Sequence, residues 1–170
     1  NLLTSTMTTS TLTTTTTAYL TNTATQQLWV TTGSINAVIN FFSSTDGRTW
    51  SSTRTGITQT NNGSVGNAVA YNGSIWVIGG STGSSSILYT SSNGTAWGIN
   101  PTTLNQTNCY GLVWNGTYWL ILGAATTPIN TIIKANATLT SFTSSASGGA
   151  SGFATQANAA AWNGSMWVAV

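Results

Sequence analysis

Histidine and glutamate are absent from this 170-residue chain, and Asp46 is its only side-chain carboxylate. Cations are nearly as scarce: Arg48, Arg54 and Lys134 are all there are. These absences exclude most catalytic chemistry. Glycoside hydrolysis by its usual route needs two carboxylates. A serine or cysteine nucleophile needs a base, and no imidazole is present. Zinc chemistry needs several His, Cys or carboxylate ligands together. The segment is therefore read as non-enzymatic, with no catalytic residue, no metal and no cofactor. Three isolated cations cannot neutralise a row of phosphates, so nucleic acid is not an expected partner. They cannot hold the chain to anionic lipid either.

Cys109 is the only cysteine, so no disulfide can close within the segment. Its strand-like surroundings predict a buried structural thiol. No run approaches the roughly 20 continuous apolar residues of a membrane helix, so direct membrane insertion is not expected. The chain opens at Asn1 without a basic n-region or an apolar h-region. It stops at Val170 within a strand pattern, and is read as an internal segment of something longer.

What remains is Thr, Ser, Asn and Gly, together with eight tryptophans and 40% hydrophobic residues. That apolar content separates the chain from a disordered one. The Thr-rich run from Thr4 to Thr17 has few large residues to pack, and it reads as an outer strand, a stalk or a linker. A hexapeptide repeat organises the rest. Tyr71-Asn72-Gly73-Ser74-Ile75-Trp76 returns as Trp114-Asn115-Gly116-Thr117-Tyr118-Trp119 and as Trp162-Asn163-Gly164-Ser165-Met166-Trp167. A worn copy ends at Leu28-Trp29-Val30. Trp29, Trp76, Trp119 and Trp167 are spaced 47, 43 and 48 residues apart, the size of one four-stranded propeller blade.

A second motif keeps step. Ser44-Thr45-Asp46-Gly47-Arg48-Thr49-Trp50 begins 15 residues after Trp29, and Ser91-Ser92-Asn93-Gly94-Thr95-Ala96-Trp97 begins 15 after Trp76. Fifteen after Trp119 stands a worn copy, Lys134-Ala135-Asn136-Ala137-Thr138-Leu139-Thr140. Between Gly66 and Trp97 the alternation predicts four strands. Asn67 to Tyr71 is the first, and Asn72-Gly73 is a type I′ hairpin turn. Ser74 to Ile78 is the second. Gly79 to Ser85 reads as a loop, Ile87 to Thr90 as the third strand, and Thr95 to Trp97 as the start of the fourth. Both faces of such a sheet are apolar, so it needs neighbours on each side.

Ser44, Asp46, Gly47, Thr49 and Trp50 resemble the Asp box of sialidase-like repeat propellers, with one residue fewer in the turn. Ser91, Asn93, Gly94 and Trp97 carry a weaker copy. The resemblance covers residues 28–170. It implies a structural hairpin in each blade, with no activity attached. Uncharged Asn-Gly/Trp repeats of this kind also look similar to repeat proteins predicted in large DNA viruses and on microbial surfaces.

The expected fold is all-β: a propeller of four-stranded antiparallel blades, here an incomplete part of a larger one. A sandwich and an unclosed β-solenoid are the alternatives. The expected units are a leading segment 1–19, taken as outer strands of a preceding blade, a degraded unit 20–65, blades 66–107 and 108–156, and the start of another at 157–170. Trp29, Asp46, Trp50, Trp76, Asn93, Trp97, Trp119 and Trp167 are expected to be structural. Trp114, Trp162, Arg54 and Asn61 are the candidates for meeting a ligand or partner. Asn62, Asn72, Asn93, Asn105, Asn115, Asn136 and Asn163 satisfy the glycosylation sequon, and Asn62 and Asn105 are favoured as loop positions.

The expected function is a noncatalytic structural or protein-interaction module in an extracellular or virion-surface assembly. Its partners would be other protein chains or remaining blades of the same polypeptide. The alternative is a lectin-like propeller that binds glycans through exposed Trp and Asn. A wholly intracellular scaffold is a third reading.

Overall fold

The computed structural model describes residues 16–20, 28–35, 38–53, 64–125, 130–144, 153 and 155–170, with 16–20, 35 and 125 by backbone alone. Every regular element among them is a strand. The first sheet holds β1 (Thr16–Leu20), β2 (Leu28–Ile35), β3 (Val38–Ser44) and β4 (Ser51–Ser52). The second holds β5 (Val65–Tyr71), β6 (Trp76–Ser81), β7 (Ser86–Ser91) and β8 (Gly98–Ile99). The third holds β9 (Gln106–Trp114), β10 (Tyr118–Ala125), β11 (Ile132–Asn136) and β12 (Phe142–Ser144). Each is an antiparallel meander in chain order, and β13 (Ala160–Trp162) with β14 (Trp167–Ala169) forms a last hairpin. Because β1 pairs with β2, residues 16–19 belong to the first sheet rather than to a preceding unit.

The sheets stack face on face, and the period-2 alternation of each strand builds the seams. From β6, Trp76 and Ile78 join Val30, Ile39 and Phe41 of the first sheet in one apolar cluster. Val77, between them, turns the other way and joins Cys109, Leu112, Trp119 and Ile121 of the third sheet. β10 repeats the division: Leu120 and Leu122 leave Trp119 and Ile121 behind and pack with Ala157, Ala160 and Trp167. Full burial of an Ile or Leu side chain stabilises by about 1.5–3 kcal/mol. These seams join the sheets, and the two-stranded hairpin in particular would be marginal by itself.

The first strand of each unit sits on the preceding sheet. β5 packs on β1, β2 and β3; β9 packs on β5, β6 and β7; β13 packs on β9. Each of these first strands also carries a bulge at the same register. Asn67 is skipped between Gly66 and Ala68, and Tyr110 between Cys109 and Gly111. In the hairpin the amides of Asn158 and Ala159 both donate to the Val170 carbonyl, at 2.7 and 3.3 Å. Two donors sharing one acceptor mark the same extra residue.

Two expectations fail here. Gly79 to Ser81 is strand, not loop, because glycine marks close approach rather than a turn. A Cβ on Gly79 would lie 2.3 Å from Cys109 Sγ, and one on Gly80 would lie 2.0 Å from the Val65 carbonyl oxygen. The fourth strand begins at Gly98, so Trp97 lies at the end of the turn before it.

Candidate functional site

The Asn-Gly turns, the repeat tryptophans and the Ser-X-Asp/Asn-Gly turns come together along one edge of the stack. The Asn-Gly turns are not the two-residue type I′ form expected. Tyr71 pairs with Trp76, leaving a four-residue loop in which Gly73 has a φ of +97° while Asn72 keeps an ordinary backbone. The Asn72 side chain does what a second left-handed residue would have done. Its Oδ1 accepts from the amides of Ser74 and Ile75 at 2.9 and 2.8 Å. Asn115 accepts from Thr117 and Tyr118 at 3.0 and 2.9 Å, and Asn163 from Ser165 and Met166 at 2.9 and 2.8 Å. This Asx geometry explains why Asn recurs with the glycine.

Beside each turn stands an aromatic pair. Ring centroids are 4.8 Å apart for Tyr71–Trp76, 5.1 Å for Trp114–Trp119 and 5.1 Å for Trp162–Trp167. Trp76 and Trp119 are buried, at 1% and 0% exposure, and Trp167 is half-buried. Trp114 and Trp162 are half-buried, their rings tilted to their partners' at 51° and 44°. The Trp119 indole donates to the Ala137 carbonyl at 3.2 Å, and the Trp167 indole to the Tyr118 hydroxyl at 2.8 Å. Tyr118 also takes the Lys134 ammonium over its ring, 4.2 Å from the centroid.

The second motif forms the same turn twice. Ser44 Oγ accepts from the Gly47 amide at 2.8 Å, and Asp46 Oδ1 accepts from the Arg48 and Thr49 amides at 2.8 and 2.7 Å. Ser91 Oγ accepts from Gly94 at 2.8 Å, and Asn93 Oδ1 from Thr95 and Ala96 at 3.0 and 2.9 Å. The Thr49 amide foremost, then the Arg48 amide and the Ser44 hydroxyl, hold the Asp46 carboxyl well below the usual carboxylate range. Trp97 is buried beside Phe41, 5.1 Å between ring centroids, and Trp50 is half-buried.

The third copy is displaced. Trp29 and Trp76 pair with Ser44 and Ser91, but Trp119 pairs with Ala135, one residue beyond the position that sequence spacing assigns. Asn136 Oδ1 accepts from the amides of Thr140 and Ser141 at 2.8 and 3.1 Å, closing a wider loop. Leu139 takes the left-handed φ of +56° in that loop and is buried. Phe142, paired with Ala135, packs where the other sheets place Trp50 and Trp97. Its place was hidden because the missing Gly and Trp left nothing to align.

These turns lie in the seams. Asn72 Nδ2 donates to the Ala137 carbonyl at 3.0 Å, and Asn100 Nδ2 to the Leu139 carbonyl at 3.1 Å, so the second sheet grips the third sheet's loop. A Cβ on Gly94 would meet Leu28 of the first sheet at 2.6 Å. At the bulge, Asn67 Nδ2 donates to Asn108 Oδ1 at 2.6 Å and to the Cys109 carbonyl at 3.1 Å. The signal for this contact was Asn-Ala two places before an Ala-aromatic-Asn-Gly, shared by Asn67 and Asn158.

Cys109 is buried in the same seam, and burial pushes its thiol up to about 12. Arg54, Asn61 and Asn62 lie outside the described residues. Of the other sequon positions, Asn93, Asn105, Asn136 and Asn163 are exposed, while Asn72 and Asn115 are half-buried. No group of three His, Cys, Asp or Glu fit for a metal occurs among the described residues, and no helix there is long and apolar enough to cross a membrane.

Comparison with known proteins finds no matching family model, no similar curated protein and no similar solved structure.

Proposed function

We propose that the three meander sheets and the hairpin are successive blades of an Asp-box-type propeller, and that the chain is a noncatalytic structural or protein-interaction module. The observation that carries this reading is the commitment of the repeat side chains to packing. Trp76, Trp97 and Trp119 fill seams, and Asn67, Asn72 and Asn100 bind backbone across them. Little of the repeat is left to form a pocket. The near absence of charge fits a subunit of an extracellular or virion-surface assembly, where contact with neighbouring protein replaces charged solvation. Partners in such an assembly would be other protein chains or further blades.

One observation favours the lectin-like reading as second. Tyr71, Trp114 and Trp162 are half-buried at equivalent positions beside exposed turn glycines, where an aromatic face could meet a sugar. A glycan array probed with the folded chain separates the two. The structural reading expects no binding above background, and tryptophan fluorescence unchanged on adding saccharide. Saturable binding abolished by Trp114→Ala or Trp162→Ala would replace it with the lectin reading. On a secretory route, glycopeptide mass spectrometry is expected to find Asn105 occupied and Asn72 empty, since the Asn72 amide nitrogen is already bonded across a seam.

A further inference from the structure

Two Asn-Gly turns of the second sheet hold their glycines differently. Asn72-Gly73 closes the hairpin between β5 and β6, and Asn93-Gly94 lies in the turn between β7 and β8. In both, the asparagine Oδ1 accepts two backbone amides. Ser74 and Ile75 donate to Asn72 at 2.9 and 2.8 Å, and Thr95 and Ala96 to Asn93 at 3.0 and 2.9 Å. The Gly94 amide is itself bound, to Ser91 Oγ at 2.8 Å, and Gly94 is buried. The Gly73 amide has no acceptor among the described residues. Gly73 is exposed, and a Cβ there would meet nothing within 4 Å, whereas one on Gly94 would meet Leu28 at 2.6 Å. The second sheet has a neighbour on each face, so this openness belongs to the turn and not to an end of the stack.

We propose that Asn72 is a self-modification site, at which the chain converts its own asparagine to aspartate or isoaspartate. The Gly73 amide nitrogen gives up its proton to water or hydroxide and adds to Asn72 Cγ. A succinimide ring closes as the Cγ–Nδ2 bond breaks, and the departing nitrogen takes a proton from water and leaves as ammonia. Water then opens the ring at either carbonyl, giving aspartate or an isoaspartate whose main chain runs through Cγ. The nucleophile is the next residue of the same chain, so no encounter has to be made. Negative charge develops on Oδ1 during the addition, and that oxygen is the one the Ser74 and Ile75 amides already hold. Asn93 has the same acceptor arrangement, but its nucleophile is tied down. The Gly94 proton is committed to Ser91, and Leu28 stands against the glycine.

The product bears on the seam. Asn72 Nδ2 donates to the Ala137 carbonyl at 3.0 Å. A carboxylate accepts hydrogen bonds and donates none. It keeps the turn, as Asp46 does in its own, but presents an acceptor to an acceptor across the seam. Conversion therefore loosens the second sheet from the third sheet's loop as the protein ages. It also takes the formal charge from +2 to +1, which makes the product separable by charge. This chemistry rests on neither the structural nor the glycan-binding reading.

The test incubates the full chain at mildly alkaline pH, folded and in parallel in urea, with peptide mapping by mass spectrometry at intervals. In urea both asparagines, each followed by glycine, should convert at similar rates. In the folded chain Asn72 should outrun Asn93 by about tenfold, the upper range for one hydrogen bond on the competing amide. Ser91→Ala frees the Gly94 amide and should speed Asn93 while leaving Asn72 unchanged. Equal rates at the two sites in the folded chain would overturn the proposal, as would an Asn72 that converts only in urea. An unmoved Asn93 rate in a folded Ser91→Ala would overturn the protection assigned to that bond. If Ser91→Ala loses its native near-ultraviolet spectrum, the folded and urea rates of the unaltered chain decide alone. For the seam, Asn72→Asp should lower the urea midpoint and Asn93→Asp should leave it nearly in place. A midpoint unmoved by Asn72→Asp would overturn the loosening.

Discussion

The second sheet and the last hairpin follow the same local rules and end in different environments. Both run aromatic-Asn-Gly into a four-residue loop with an Asx bond, and both return through a tryptophan. Yet Val77 is sealed at 0% exposure and Val168 is 56% exposed. Side-chain chemistry does not distinguish them; a neighbouring sheet does. In this architecture a unit takes its geometry from its own turn and its stability from the seam. The hairpin, with a described seam on one side, is expected to be the less stable element.

The largest test of that difference is removal of the tryptophans. Trp76→Ala empties a closed seam and should cost about 3–5 kcal/mol. Trp167→Ala takes away a half-buried ring and one bond to Tyr118, so its loss should be clearly smaller. Urea unfolding of the two variants checks the ordering. Equal losses would mean that the hairpin is as tightly held as the interior.

Close approach gives the next contrast. A Cβ at Gly79 presses on Cys109 Sγ within the seam, whereas one at Gly98 meets nothing within 4 Å. Gly79→Ala should destabilise by about 1–3 kcal/mol, the range for overpacking. Gly98→Ala should be neutral or gain up to about 1 kcal/mol through the unfolded chain. Melting curves of both variants would show it, and a harmless Gly79→Ala would contradict the tight seam.

These glycines also show how far the sequence could be read. The tryptophan period and the paired motifs exposed the repeating four-stranded units, since both report local chain geometry. The seams were less legible. Gly79-Gly80 looked like a loop because sequence cannot tell a glycine needed for a turn from one needed for a neighbour. Asn72-Gly73 suggested a type I′ turn because the Asx bond is a side-chain event. Equal spacing placed the third turn one residue early, since Asn136 closes a wider loop. The partner candidates Trp114 and Trp162 turned out half-buried, each beside the tryptophan it pairs with across the hairpin, a contact set by register.

Asn72 and Asn163 test the seam's polar component. Replacing Asn72 with Ala deletes two turn bonds and the link to Ala137. At about 0.5–1.5 kcal/mol per net bond, and less for bonds that water replaces, the expected cost is about 1–2 kcal/mol. Asn163→Ala deletes turn bonds at an exposed site and should cost less than about 1 kcal/mol. A double-mutant cycle between Asn72→Ala and a shortened 137–139 loop should show coupling. Strict additivity would remove the cross-seam bond from the account.

The smallest expected effect compares the second sheet with its other neighbour. Asp46 and Asn93 accept equivalent bonds in equivalent turns, but only Asp46 titrates. Its folded carboxyl lies below the ordinary 3.8, chiefly because the Thr49 and Arg48 amides favour the charged form. The folded chain therefore binds fewer protons than the unfolded chain in acid. Stability from this group is complete above the unfolded value near 3.8 and falls as pH drops toward the lower folded value. The side chain is exposed, so water screens the gain and the slope should be shallow. Chemical unfolding midpoints between about pH 2 and pH 6 should rise with pH in the native chain and lie flatter in Asp46→Asn, which copies the Asn93 turn. With no glutamate and no histidine in the chain, little else can mask the signal in that window. If Asp46→Asn kept the full slope, the acid dependence would come from the chain terminus, and the two turns would be equivalent in electrostatics as well as in shape.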